Sequence, residues 1–231
     1  MEPRSPRAGS VLPALELDLI GDLTCPWTFL GKRSLDRALG SLYGSSERLL
    51  RWHGLPLERQ DAESWRERFA ARLPRGSSIE SAQRELRRAG EELGIAFAFE
   101  RLEQIPDTHE AHRLVRLAAR DGRQSEIIDA LFSAFFEQGR DISDRSVLGE
   151  IAAERLDAVT AAAFADPGEG RGDVDAEEQR MRGLGIAEVP NLLINGRVLV
   201  PGPADVSTYV QALDQALFPE LKAPKVKRLL H

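Results

Sequence analysis

Strand-forming sequence is confined to the two ends of this chain, and everything between them reads as helix. Near the N-terminus, Leu15-Glu16-Leu17-Asp18-Leu19-Ile20 alternates apolar and polar residues up to Gly21, the period of a strand with one buried face. A second strand is predicted over Leu49 to Leu57, broken by Gly54 and Pro56. Near the C-terminus, Asn191 to Ile194 and Arg197 to Val200 flank Asn195-Gly196. That dipeptide suits a type I′ hairpin turn, which needs two residues at positive φ. From Ser64 to about Leu184 the apolar spacing is helical instead. Neither end holds enough strands for a sheet that is stable alone, so the two ends must share one. The expectation is an α/β fold with an all-helical domain inserted between the halves of its sheet.

The helix signals fix the boundaries. Pro26 suits a first helical turn, where its missing N–H costs nothing. That helix is predicted to run to about Leu42, with Gly40 and Gly44 marking its end. In the middle, helices are predicted over Trp65 to Leu73 and Ser78 to Leu93, closed by Pro74 and Gly94. Ile95 to Phe99 reads as a short extended piece. At Pro106-Asp107-Thr108-His109-Glu110, Asp107 is placed to cap and Glu110 to complete a capping box, before the stripe Ala111, Leu114, Val115, Ala118. Ile127 to Phe136, Ser146 to Glu154, Ala158 to Phe164 and about Val174 to Leu184 continue the block, and Ala204-Asp205 opens a last helix. The division is a disordered lead-in over 1–14, a sheet domain over 15–63 with 185–219, an insertion over 64–184, and a basic tail over 220–231.

Composition excludes several classes of function. A chain of 231 residues, 42% hydrophobic and 29% charged, is an ordinary globular protein with room for a sizeable core. Its net charge of -6 argues against nucleic-acid binding, which needs a basic face. No apolar run approaches the ~20 residues that cross a bilayer. Met1 to Ala14 holds three prolines and no apolar signal-peptide core. The single cysteine cannot form an internal disulfide, so no oxidising compartment is required and a cytoplasmic location is expected. The four histidines show no metal-ligand spacing.

That cysteine, Cys25, follows the first strand and precedes a helix-starting proline. At a helix N-terminus the free N–H groups and the dipole favour a thiolate, which lowers a thiol pKa from ~8.5 into the range of roughly 3.5 to 7.5. A buried, inert cysteine is the other reading of the same residue. Trp27 either covers the thiol or simply packs, and His112 reads as a structural hydrogen-bonding residue. Far along the chain, Glu188-Val189-Pro190 precedes the hairpin, and a proline there belongs at a strand's first position.

Cys25-Pro26-Trp27, then Gly31-Lys32-Arg33 and Leu35, Thr108, Ala111-His112-Arg113, Phe135 through Ile142, and Val189-Pro190 with Ile194-Asn195-Gly196-Arg197 together resemble the DsbA-like branch of the thioredoxin superfamily, in particular its FrnE-type cytoplasmic members. The resemblance implies a thioredoxin fold with an inserted helical domain. It implies Cys25 and Thr28 as the catalytic positions, and Pro26, Trp27, Val189 and Pro190 as the substrate-facing wall. Val189-Pro190 would be a cis peptide beside the thiol, its backbone pairing with a sulfur-bearing substrate. The departures are Thr28, where members usually carry a second cysteine, Asp107 for asparagine, Glu188 for glycine, and Pro201 for serine or alanine. The Thr28 hydroxyl can donate to the Cys25 thiolate but cannot form an S–S bond. A thiol or disulfide is therefore the expected substrate and partner, glutathione the expected co-substrate, and no covalently bound cofactor is expected. Kappa-class glutathione transferases and 2-hydroxychromene-2-carboxylate isomerases also carry the insertion. On that reading Val189 pairs with the cysteinyl backbone of glutathione and Asp205 meets its amino group, although an acid there is more often a cap. A thioredoxin-fold binding protein without redox activity is the third reading. The chain is expected to be a monomer or homodimer, without nucleic-acid or membrane partners.

Overall fold

A computed structural model describes residues 15–43, 48–56 and 64–218 of the chain. The expected lead-in and basic tail, Gly44, and the far end of the second strand at Leu57 lie outside these residues. Strand β1 (Leu15–Gly21) runs into helix α1 (Pro26–Tyr43) and strand β2 (Arg48–Gly54). Next come α2 (Trp65–Ala71), α3 (Ile79–Leu93), α4 (His109–Ala118), α5 (Gln124–Phe132), α6 (Arg145–Arg155), α7 (Ala158–Ala165) and α8 (Arg171–Gly183). The chain closes with β3 (Asn191–Ile194), β4 (Val198–Pro201) and α9 (Val206–Leu217).

The strands form one sheet in the order β2-β1-β3-β4, with β1 parallel to β2 and both hairpin strands antiparallel to their neighbours. A parallel pair needs a crossover, and α1 supplies it. This is the α/β arrangement of a thioredoxin fold, with α2 to α8 entering between β2 and β3. Asn195 and Gly196 take φ of 50° and 63°, and the Arg197 N–H donates to the Ile194 carbonyl at 3.0 Å, which closes the hairpin.

The period of β1 sorts its side chains to two faces. Leu15, Leu17 and Leu19 are buried in the main core with Phe29, Leu35 and Leu39 of α1 and Tyr209 and Leu213 of α9. Ile20 points the other way and packs with Leu55, Met181 of α8 and Val189. Asp18 shares that face, where its carboxylate meets His53 of β2 at 2.8 Å. The main core runs on into the helical segment through Phe97, Leu114, Phe132 and Phe136.

Three local expectations change. Ile95 to Phe99 forms no strand and runs into a 3-10 turn at Phe99–Arg101. The helix after Phe132 widens into a π turn over Ser133–Glu137, which seats Phe136 against Phe29 and Trp65. The capping box at Glu110 is absent. Asp107 accepts from the His109 N–H at 3.0 Å, but the Glu110 carboxylate goes to Arg113 and Arg145 instead. Two fixed guanidinium partners outweigh one backbone donor for that carboxylate. A reciprocal capping box does occur at Ser64 and Glu67, where α2 begins.

Candidate functional site

Cys25 caps α1. Its carbonyl accepts from the N–H groups of Thr28 at 3.1 Å and Phe29 at 3.3 Å, and its own N–H donates to the Asp22 carbonyl at 3.1 Å. The turn between strand and helix is tied by the Asp22 carboxylate, which accepts from the Thr24 amide at 2.8 Å and the Thr24 hydroxyl at 2.9 Å. The chain thus leaves the end of a central strand and sets a thiol at the start of a helix.

The thiol is not open to solvent. Cys25 is 3% exposed, because Trp65, Arg68, Phe69 and Arg72 close over it. Trp65 Nε1 donates to the Thr24 carbonyl at 3.3 Å, and the Arg68 guanidinium donates to the Thr24 hydroxyl. Trp27 and Phe69 stack with ring centroids 5.2 Å apart, and Phe69 stacks in turn on Trp65 at 4.9 Å. Burial pushes the Cys25 thiol up from its ordinary value. The Thr28 side chain and the Thr28 and Trp27 N–H groups act against burial, and the Asp22 charge acts with it. Placement at a helix start predicts a lowered pKa, and the cover supplied by α2 reverses the direction. Thr28 Oγ1 is itself buried and has no hydrogen bond of ordinary geometry.

The Val189–Pro190 peptide is cis. Ile20 pairs with Asn191, and continuing that antiparallel register sets Pro190 opposite Gly21 and Val189 opposite Asp22, at the end of the sheet that carries Cys25. The Pro190 carbonyl accepts from the Gly202 N–H at 2.8 Å. Its ring lies so near α1 that a Cβ on Gly31 would sit 3.5 Å from Cγ and 3.1 Å from the Tyr209 hydroxyl. Asp205 is exposed, and its carboxylate caps α9, accepting from the Thr208 N–H at 2.7 Å and the Ser207 hydroxyl at 3.0 Å. The structure therefore gathers Cys25, Pro26, Trp27 and Thr28, sets Val189 and Pro190 at the same end of the sheet, and gives Asp205 a capping role.

His112 is buried on α4. Its Nδ1 accepts from Trp52 Nε1 at 3.1 Å, which leaves the proton on an Nε2 without a partner. Burial, first of all, holds its pKa down at about 4, so the ring is neutral. Sequence reasoning missed Arg68 and Phe69 as parts of the thiol's surroundings. Their one signal is the Trp65, Arg68, Phe69 spacing, which aligns all three along one side of α2. Among the described residues no group of three or more His, Cys, Asp or Glu side chains could hold a metal, and no helix is long and apolar enough to cross a membrane.

A family model described as a DSBA-like thioredoxin domain matches residues 16–214. Among solved structures, the chain is similar to a probable DsbA oxidoreductase from Streptomyces coelicolor, with 26% identity and a TM-score of 0.72 over 87% of this chain and 89% of that one. It shares its fold with DsbM, a cytosolic disulfide reductase from Pseudomonas aeruginosa solved with GSH, at 23% identity and a TM-score of 0.57 over 89% of this chain and 98% of that one. It also shares it with a 2-hydroxychromene-2-carboxylate isomerase, at 13% identity and a TM-score of 0.62 over 89% and 98% of the two chains. No curated protein matches the chain.

Proposed function

The chain belongs to the DSBA-like thioredoxin family, and on that premise we propose that Cys25 carries out thiol–disulfide exchange as a single sulfur, with glutathione as the outside thiol. One observation carries the reading. The position that would hold a resolving sulfur is Thr28, whose buried hydroxyl makes no hydrogen bond of ordinary geometry and acts on the Cys25 thiol against the effect of burial, in the first turn of the helix that Cys25 caps. A donor left waiting in this way costs free energy in the resting thiol and returns it when the sulfur becomes anionic.

The exchange balances without a second cysteine. The Cys25 thiolate attacks one sulfur of a substrate disulfide, a Cys25–substrate S–S bond forms, and the other half leaves as a thiolate. The Thr28 hydroxyl and the first N–H groups of α1 hold the anionic sulfur before attack. The backbone at Val189, ahead of Pro190, lines the approach. For release, a glutathione thiolate attacks the substrate sulfur of the mixed disulfide, so a substrate–glutathione disulfide forms and Cys25 leaves as its thiolate. This chemistry suits the reducing cytoplasm, where a glutathione pool is at hand.

The test is disulfide reduction with and without glutathione. Turnover of a small disulfide is expected only when glutathione is present. Thr28→Cys is expected to restore a second sulfur and to raise insulin reduction in its absence. Strong insulin reduction by the wild-type chain without glutathione would overturn the single-sulfur reading.

A further inference from the structure

The sulfur that the exchange requires is out of reach in the closed chain. Cys25 is 3% exposed, and the cavity beside it is about 10 Å³, room for no more than one water molecule. A disulfide sulfur must come within roughly 3–3.5 Å of the attacking sulfur, in line with the bond that breaks. Whatever lies over Cys25 therefore has to move first. The cover is α2, and its two ends are held differently. At the N-terminal end the Trp65 N–H donates to the Glu103 carbonyl at 3.3 Å. The Trp65 indole packs on Phe99 at 5.5 Å, meets Phe136 edge-on at 6.3 Å and donates to the Thr24 carbonyl. Beyond the C-terminal end the chain passes through an exposed connection, Pro74 to Ser78, where Gly76 takes a φ of 87°. Open space of about 710 Å³ adjoins that connection, bounded by Trp27 and Leu30 of α1, Leu73, and Ala82 and Ala89 of α3. Between the two ends, Phe69 stacks on Trp27 at 5.2 Å and Arg68 donates to the Thr24 hydroxyl.

We propose that α2 is a lid that pivots about Trp65, with the connection at Gly76 absorbing the change, and that Cys25 reacts only while the Phe69 end is lifted. The inference rests on Cys25 being the nucleophile, and names what controls access to it. Lifting parts Phe69 from Trp27 and Arg68 from Thr24, while Trp65 stays anchored in the core. The open space beside Trp27 and Leu73 gives the ring and the end of the helix room to shift. The Cys25 turn keeps its shape, because its own bonds hold it: the Cys25 N–H to the Asp22 carbonyl, and the Asp22 carboxylate to the Thr24 amide. An opening that exposes only a short helix is a local event, well below global unfolding in cost. With the lid closed, burial disfavours the thiolate and shuts out oxidants. That protection suits a chain whose one cysteine has no second with which to form a recoverable disulfide.

Iodoacetamide labelling of Cys25 on the intact wild-type chain, in rising urea below the unfolding transition, separates the routes to the sulfur. The reference is a short peptide carrying the same Cys-Pro-Trp-Thr run at the same pH. Labelling of the folded chain is expected to be about ten-fold or more slower than that of the peptide. Its rate is expected to rise with urea, at a small fraction of the slope for global unfolding, since that slope scales with the surface exposed. This measurement needs no variant to fold. Phe69→Ala removes the stack on Trp27, and Thr24→Val removes the hydroxyl that Arg68 binds. Each is expected to speed labelling, by about ten-fold for Phe69→Ala, while the urea slope stays small. Labelling at the peptide's rate, a rate flat in urea, or a slow rate that neither variant changes would overturn the lid and leave Cys25 as the nucleophile. Labelling only with the slope of global unfolding would overturn both.

Discussion

At the scale of single residues, Thr28 has opposite effects on stability and on reactivity. Its hydroxyl is buried with no hydrogen bond of ordinary geometry, the Cys25 thiol being the group it acts on, and a poorly satisfied buried donor ordinarily costs about 1–3 kcal/mol. Thr28→Val keeps the shape and removes the polar group, so thermal stability is expected to hold or to rise by about 1 kcal/mol. The same change removes a donor to the anionic sulfur, so Cys25 alkylation at fixed pH is expected to slow several-fold. Melting curves and labelling rates on one variant check both outcomes, and faster labelling in Thr28→Val would contradict the donor role. The pairing of Thr28 with Cys25 is legible in the sequence because the two positions share the first turn of one helix. The burial of Cys25 is not, since the cover comes from Trp65, Arg68 and Phe69, far along the chain and beyond a second strand. A local argument from the helix dipole therefore predicts the wrong direction for the thiol pKa.

At the scale of elements, α8 is clamped to the sheet by an imidazole. His53 of β2 bonds Asp18 of β1 through Nε2 at 2.8 Å and Glu177 of α8 through Nδ1. Arg51 pairs with Asp18 and Glu16, and Arg180 and Arg116 lie against Glu177. Burial alone would lower the His53 pKa, but the bonds to Glu177 and Asp18 outweigh it and raise the pKa above the ordinary 6.5. Hydrogen bonding to His53, more than any other cause, pulls Glu177 down from 4.5 to about 2. A raised histidine contributes stability that is complete below its unfolded pKa and is lost as pH rises through its folded one. A lowered carboxylate contributes above its unfolded pKa and is lost as pH falls through its folded one. The clamp is thus at full strength between pH 4.5 and 6.5. The difference in Tm between the wild-type chain and His53→Gln is expected to be largest there and to shrink toward alkaline pH. A difference that grows with pH would contradict the clamp. Within the helical segment Arg113 plays a similar part. Fully buried, it binds Glu110 and donates to the carbonyls of Phe164, Asp166 and Glu169 at 2.8, 3.0 and 2.9 Å. Arg113→Ala removes a donor from those carbonyls and leaves Glu110 to Arg145 alone, and is expected to cost about 1–3 kcal/mol by chemical denaturation. The sequence marks α4 well by its apolar stripe. It does not show that Glu110 serves Arg113 rather than the helix start, because that choice depends on carbonyls some fifty positions away.

At the scale of the whole molecule, two distant segments complete one sheet, and the catalytic proposal depends on that closure. The strand β1 delivers Cys25, while β3, paired to it in antiparallel register, delivers Val189-Pro190 to the same end. This much follows from the sequence, because strand periodicity at the two ends and a hairpin dipeptide near the second leave one economical sheet. The faces that the helices choose do not follow from periodicity. That α8 covers the Asp18, Ile20 face is decided by His53 and Met181, side chains whose partners only the folded chain brings near. The central claim is that a single sulfur on this scaffold exchanges disulfides but cannot finish the exchange alone. Mass spectrometry of the native chain after incubation with oxidised glutathione tests it most directly. The account predicts one glutathionyl group on Cys25, stable until reduced glutathione is added and then released. A Cys25 that takes up no glutathionyl group while the chain remains folded would contradict it.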